Sequence, residues 1–222
     1  MRRRQLLGFL AIAAAAPRTA FANVQTISLD KAFPYLAGYL QMPAAERSHF
    51  YLAFRAYRDK HPVGDVAAAI VAANGARTPI AFDRQGIVTR LPDLATLKGA
   101  GHVELVSAPF QMAPELRCAM PLSLRIDVSQ LTVALVQVNN AVVKFAGALS
   151  LVLPKFTTAF FPDAGAAQVV MSDGRTTPLP ALSVPQIGPV SYIEPASLAG
   201  ARTVIFAKAP SRILLSPRPK KP

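Results

Sequence analysis

This chain of 222 residues has no tryptophan, one cysteine and three histidines. Its 12 acidic residues are outnumbered two to one by 24 lysines and arginines. Each shortage removes a class of chemistry. The lone Cys118 can form no intramolecular disulfide and no thiolate cluster for zinc; within the apolar stretch Leu116–Met120 it reads as a core thiol. His49, His61 and His102 stand far apart, so a metal site would require the fold to gather them with an acid such as Asp59, Asp65 or Glu104. The expectation is instead of solvated or locally hydrogen-bonded imidazoles, with no cofactor. Asp83 and Asp93 fall in turn-like stretches that explain them without an acid–base pair. No nucleophile elbow G-x-S-x-G, phosphate-binding glycine loop, H-E-x-x-H or C-x-x-C occurs. The longest apolar run near the start is too short for a bilayer span, which takes about 20 residues.

What the chain does have begins at its first residues. Arg2-Arg3-Arg4 precede an apolar run to Ala16, and Ala20-Phe21-Ala22 supplies an A-x-A site, with cleavage between Ala22 and Asn23. Residues 1–22 thus read as a signal peptide and the protein as periplasmic. Arg3-Arg4-Gln5-Leu6-Leu7, with Arg18 near the cleavage site, resembles the twin-arginine export signal, although Arg2 stands where that signal usually has Ser or Thr. The resemblance implies passage across the membrane in a folded state. No cysteine stands directly after the signal, where Asn23 lies, which argues against a lipoprotein. Removing Arg2, Arg3, Arg4 and Arg18 lowers the formal charge from +12 to +8. An exported protein does not meet chromosomal DNA, so nucleic acid is not the expected partner. The excess is either a solvated surface or faces anionic lipid, lipopolysaccharide or cell-wall polymer. Residues 218–222 form a basic, proline-rich tail.

A phrase is written twice. Leu97, Gly99, Ala100, Val103, Ala108 and Pro109 form L-x-G-A-x-x-V-x-x-x-x-A-P, and Leu198, Gly200, Ala201, Val204, Ala209 and Pro210 repeat it. Upstream, Asn74 to Ile80 answers Asp173 to Leu179 at a displacement of 99 positions. The shared positions are apolar residues, turn glycines and prolines, which specify fold and not chemistry. A period this long exceeds solenoid repeats. It predicts two tandem copies of a domain-sized unit, 23–126 and 127–217.

Each copy is expected to open with a helix, at 30–41 and 129–149, followed by short antiparallel strands. In the second, Leu131, Leu135, Val138, Val142, Phe145 and Leu149 recur at helical spacing. A hairpin turning at Asn139-Asn140 is the rival; those asparagines and Lys144 argue against a membrane span. Phe50, Leu52, Phe54 and Ala56 alternate with His49, Tyr51, Ala53, Arg55 and Tyr57, which marks a half-buried strand. Further strands are expected at 66–73, 79–82, 87–90, 102–107 and 116–128. The second copy is expected to place them at 151–160, 166–172, 177–183, 190–193 and 202–208. The fold class is therefore α+β and strand-rich, two helix-plus-sandwich or barrel units in tandem.

The candidate ligand-binding residues are His49, Tyr51, Arg55 and Tyr57, because aromatic rings interleaved with cations suit carbohydrates or anions. A register of 100 aligns them with Leu149, Leu151, Lys155 and Thr157 in the second copy. Packing of Tyr51 and Tyr57 on a neighbouring helix, with Arg55 snorkelling outward, is the simpler alternative. Ser28-Leu29-Asp30-Lys31 fits the S-x-x-K motif of penicillin-recognising serine enzymes and Ser172-Asp173-Gly174 resembles their second motif, but K-T-G is missing and Ser28 is more simply a helix cap. In signal, size and duplicated strand pattern the chain resembles small exported bacterial proteins of periplasmic families without an assigned function. That resemblance transfers no residue role. The expected function is non-catalytic binding or scaffolding of an envelope polymer, lipid or protein, through the first copy or the cleft between copies. The alternatives are an envelope hydrolase or transferase using His49, His61, His102, Asp59 and Asp65, or a small-molecule carrier with an apolar cavity.

Overall fold

A computed structural model of the chain describes residues 25–106, 109–146, 154–184 and 187–218. The signal peptide, its cleavage site at Ala22 and Asn23, and Pro219–Pro222 of the basic tail lie outside them. The architecture is α+β and strand-rich, with three antiparallel sheets among the described residues.

The first half runs β1 (Gln25–Ser28), α1 (Leu29–Ala32), α2 (Leu36–Gln41), β2 (Phe50–Arg58), β3 (His61–Pro62), β4 (Ala68–Val71), β5 (Arg77–Pro79), α3 (Leu94–Lys98), β6 (His102–Leu105) and β7 (Gln111–Cys118). There follow β8 (Arg125–Asp127), α4 (Val128–Ala146), β9 (Phe156–Pro162), β10 (Ala167–Met171), β11 (Thr176–Pro178), β12 (Ala181–Val184), β13 (Gly188–Ile193), β14 (Ala201–Phe206) and β15 (Leu214–Pro217). One four-stranded sheet is ordered β1-β6-β4-β5 and another β8-β14-β10-β11. Their central turns match bond for bond. Ala72 N donates to Ala76 O and Gly75 N to Ala72 O; Met171 N donates to Arg175 O and Gly174 N to Met171 O. Asn74 Oδ1 accepts from Ala76 N as Asp173 Oδ1 accepts from Arg175 N. Gly75 and Gly174 take the left-handed backbone, φ 80° and 83°, that such a turn requires.

The third sheet is ordered β12-β13-β9-β15-β7-β2-β3 and draws on both halves. Its inner face supplies Phe50, Phe54, Phe161 and Leu215 to one continuous core shared with the smaller sheets and α4. The helix contributes the stripe Leu131, Ala134, Leu135, Val138 and Ala141. Asn139 does not turn a hairpin. It lies inside α4, and its amide donates to Phe156 O and accepts from Phe156 N, pinning the start of β9 to the helix.

Several expectations shift. The helix expected over 30–41 is broken, because Pro34 interrupts it and Tyr35 takes φ 67° before α2 begins. Residues 87–90 form only isolated bridges, Ile87 to Arg55 and Val88 to Phe82. The strand expected over 116–128 is two strands: β7 starts five residues earlier and β8 joins the second small sheet through β14. Arg125 and Ile126 pair with Ile205 and Val204 of β14. The strand β15 was not anticipated. The helix expected to reach 149 is described to Ala146, and 147–149 lie outside the described residues with Leu151. No helix among the described residues is long and apolar enough to cross a membrane.

Candidate functional site

Strands β7 and β15 meet at the middle of the large sheet, and their junction is open. They pair at Leu214 and Arg117, and Cys118 N donates to Ile213 O at 2.9 Å. No further pairing joins them among the described residues. Proline explains part of this. Phe54 O accepts from Val88 N, so the backbone of Phe54 faces away from β7 and its partner Pro114 turns its nitrogen away from β2, toward β15. A proline nitrogen carries no hydrogen, so β7 cannot donate to β15 at that point.

The fork opens into a cavity of about 630 Å³. One prong contributes Pro114, Glu115 and Leu116, the other Leu214, Leu215 and Ser216. Val138, Ala141, Val142 and Phe145 of α4 form a wall, and Tyr35 and Tyr39 stand beside them. Apart from two tyrosine hydroxyls, Glu115 and Ser216, the side chains that line it are apolar. Tyr35 is two-thirds exposed, and a left-handed backbone at an aromatic residue is strained. This volume falls within the roughly 300–1,000 Å³ of small-molecule sites.

Glu115 also lines a second, more polar cavity of about 750 Å³ with Tyr57, Arg58, Lys60 and Gln111. Ile187 and Leu214 line both, so the two spaces adjoin. Ile187 follows β12 at one end of the sheet and Tyr57 belongs to β2, next to the strand at the other end, which shows how far the sheet curls.

At that junction, charges are concentrated on the side of the sheet opposite the core. Arg55 Nε lies 2.9 Å from Glu115 Oε1, Arg117 Nε donates to Glu115 Oε2 at 2.9 Å, and Arg212 Nε lies 4.0 Å from the same oxygen. Tyr57 donates its hydroxyl to Glu115 Oε1 at 3.3 Å. Arg55 and Arg212 are 4% and 7% exposed. Although Arg55 Nε is close to the carboxylate, its N–H misses the oxygen. That group, Arg55 Nη2 and Arg212 Nε have no hydrogen-bond partner among the described residues. Burial lowers the Arg212 pKa, and the like charges of Arg55 and Arg117 add to the effect. Burial opposes the Arg117 charge too, but Glu115 and Tyr51 outweigh it and the net shift is upward. Burial and then the Glu115 charge raise the Tyr57 pKa.

Of the candidate residues, Tyr51, Arg55 and Tyr57 thus share a sheet face with Glu115, Arg117 and Arg212. His49 is elsewhere: it precedes β2, its Nδ1 lies 3.0 Å from Ser48 Oγ, and its N–H donates to Gln137. The expected outward-pointing Arg55 is buried, because the curled sheet covers what a flat one would expose. Lys155 precedes β9 and Thr157 is its second residue. Glu115, Arg117 and Arg212 were missed. Their signal was present as single charges in otherwise apolar strand sequence, Pro114-Glu115-Leu116-Arg117-Cys118 and Arg212-Ile213-Leu214-Leu215.

The other candidates remain apart. His102 Nε2 is 3.5 Å from Glu104 Oε1 on the same strand, but Glu104 also pairs with Arg77, and His102 lines none of these cavities. No group of three or more His, Cys, Asp or Glu that could hold a metal occurs among the described residues. Asp83 accepts from Gln85 N and Ile87 N, and Asp93 caps α3 through Thr96 N. Ser28 precedes α1 without a side-chain cap bond. Comparison with family models, curated proteins and solved structures finds no match.

Proposed function

We propose that this chain is a non-catalytic binding protein of the cell envelope that holds a small apolar or amphipathic molecule, of the lipid class, in the fork between β7 and β15. The observation that carries this reading is the cavity itself: about 630 Å³ of space walled by apolar side chains at the meeting of the two halves. Burying a ligand chain there is favourable at roughly 25 cal/mol per Å² of apolar surface removed from water. The reading joins the expected cleft between copies to the expected carrier cavity. The matching order of the small sheets, their matched turns and the repeated phrase support an origin by duplication and fusion. On that view the β7–β15 fork lies at the junction between copies, where a binding space can form at the margin of the core they share. The export signal supports a periplasmic setting, where lipids are abundant ligands.

The test is to fill the cavity. Ala141 is 2% exposed and lines it from α4. In Ala141→Phe, binding of an environment-sensitive fluorescent fatty acid should be lost while cooperative thermal unfolding is retained. Unchanged probe binding in a folded Ala141→Phe variant would remove the cavity from consideration.

A further inference from the structure

We infer that the ligand held in this fork carries an anionic head, a carboxylate or phosphate, which binds beside Glu115 against Arg55, Arg117 and Arg212. The inference rests on the cavity reading above. Three guanidinium groups lie within 4.0 Å of one carboxylate. Asp163 also acts on Arg212, from farther away, and still leaves the cluster cationic. Arg55 and Arg212 are more than nine-tenths buried and retain N–H groups without partners. Buried cationic donors in that state are costly, and an anion with several acceptor oxygens supplies both missing bonds and missing charge. Arginine suits this role because its planar fork matches carboxylate and phosphate oxygens.

The position of Glu115 links this charge to the apolar cavity. Glu115 borders both spaces, with Ile187 and Leu214, while Arg55, Arg117 and Arg212 line neither and lie behind its carboxylate. A chain lying in the apolar fork would therefore bring its head to Glu115, where displacing that carboxylate gives it the arginines. Lys60 and Arg58, the latter paired with Asp65 at 3.8 Å, line the adjoining polar cavity with Asp59. The arrangement fits a single-chain amphiphile, apolar at one end and anionic at the other. A neutral lipid would leave the arginines as they are.

The experiment compares dodecanoate, dodecyl phosphate and dodecanol in calorimetric titrations of protein purified from cells expressing the full chain. The two anions should bind at least about tenfold more tightly than the alcohol, the scale of one good charged hydrogen bond. A preference between the two anions identifies which head is the better fit. In Arg212→Gln the difference between anions and alcohol should shrink severalfold while dodecanol affinity is kept. Should that variant not fold, Arg117→Gln, which alters the less buried arginine, is measured the same way. Equal binding of acid and alcohol would overturn the anionic head and leave the cavity reading intact. A preference that survives in the folded variants would also overturn it, since the head would then sit elsewhere. Absence of binding by all three would overturn the cavity reading, and this inference with it.

Discussion

Glu115 is the residue on which the outer face of the large sheet depends. Alone among apolar neighbours it accepts from Tyr57 and Arg117 and faces Arg55 and Arg212. A buried ion pair of this kind is weak evidence for stability, because desolvation offsets attraction. With three cations against Glu115 and the more distant Asp163, it is better read as a surface prepared for a further negative charge. Cys118, three positions on in the same strand, has no such role. It is 4% exposed, its Sγ lies 3.4 Å from His49 O, and burial pushes its thiol pKa from 9.0 up to about 12. The folded thiol therefore keeps its proton where the unfolded one loses it. That contribution is fully present below pH 9 and is lost as pH rises toward 12. Two outcomes are expected: iodoacetamide at pH 8 should leave the native protein unlabelled by mass spectrometry and label it in urea, and urea midpoints should fall between pH 9 and pH 11 less steeply in Cys118→Ala.

Among the elements, the broken helix at the cavity mouth is the most informative. Pro34 ends the first turn, and Tyr35 restarts the chain in a left-handed conformation that costs an aromatic residue about 1 kcal/mol or more. Tyr35 is 66% exposed, so little packing offsets that strain. Tyr35→Gly should raise the melting temperature by a few degrees, as relief of about 1 kcal/mol does in a protein of this size. If the strain holds the ring at the mouth for the ligand, the same variant should bind dodecanoate less tightly. A lower melting temperature would show that the ring supports the fold instead. Helix α4 is anchored by polar side chains as well as by its stripe. Gln137 donates to Ala45 O and Ser48 Oγ, and Lys144 pairs with Glu46. These contacts, with Asn139 on β9, hold one wall of the cavity in place.

At the scale of the whole molecule, two small sheets of matching order flank a core that they share with one curled sheet. Residues 1–22 hold four of the 24 lysines and arginines, so removal of an export signal there, as expected from the sequence, would also change the charge. Expressed with its own N-terminus, the protein should be recovered from the periplasm beginning at Asn23, as intact mass would show. Arg3→Lys with Arg4→Lys should retain it in the cytoplasm if the twin-arginine route operates. Continued export of that double variant would point to the general secretory route.

The periodicity of single segments was legible in the sequence. Alternation of Phe50, Leu52, Phe54 and Ala56 forecast β2, the helical stripe forecast α4, and Asn74-Gly75 forecast the β4–β5 turn, because each signal is set by neighbours a few positions away. Duplicated turn residues forecast matched turns for the same reason. The fork was not legible. It depends on which strands become neighbours across about 100 positions, on a proline whose nitrogen faces one flank and not the other, and on a sheet curled enough to bury Arg55. Likewise, Glu115, Arg117 and Arg212 were visible as lone charges in apolar strands, but only tertiary pairing placed them together. Local periodicity determines which face of an element is apolar; the partners that cover that face, and the space left between them, are decided by the packing of the whole chain.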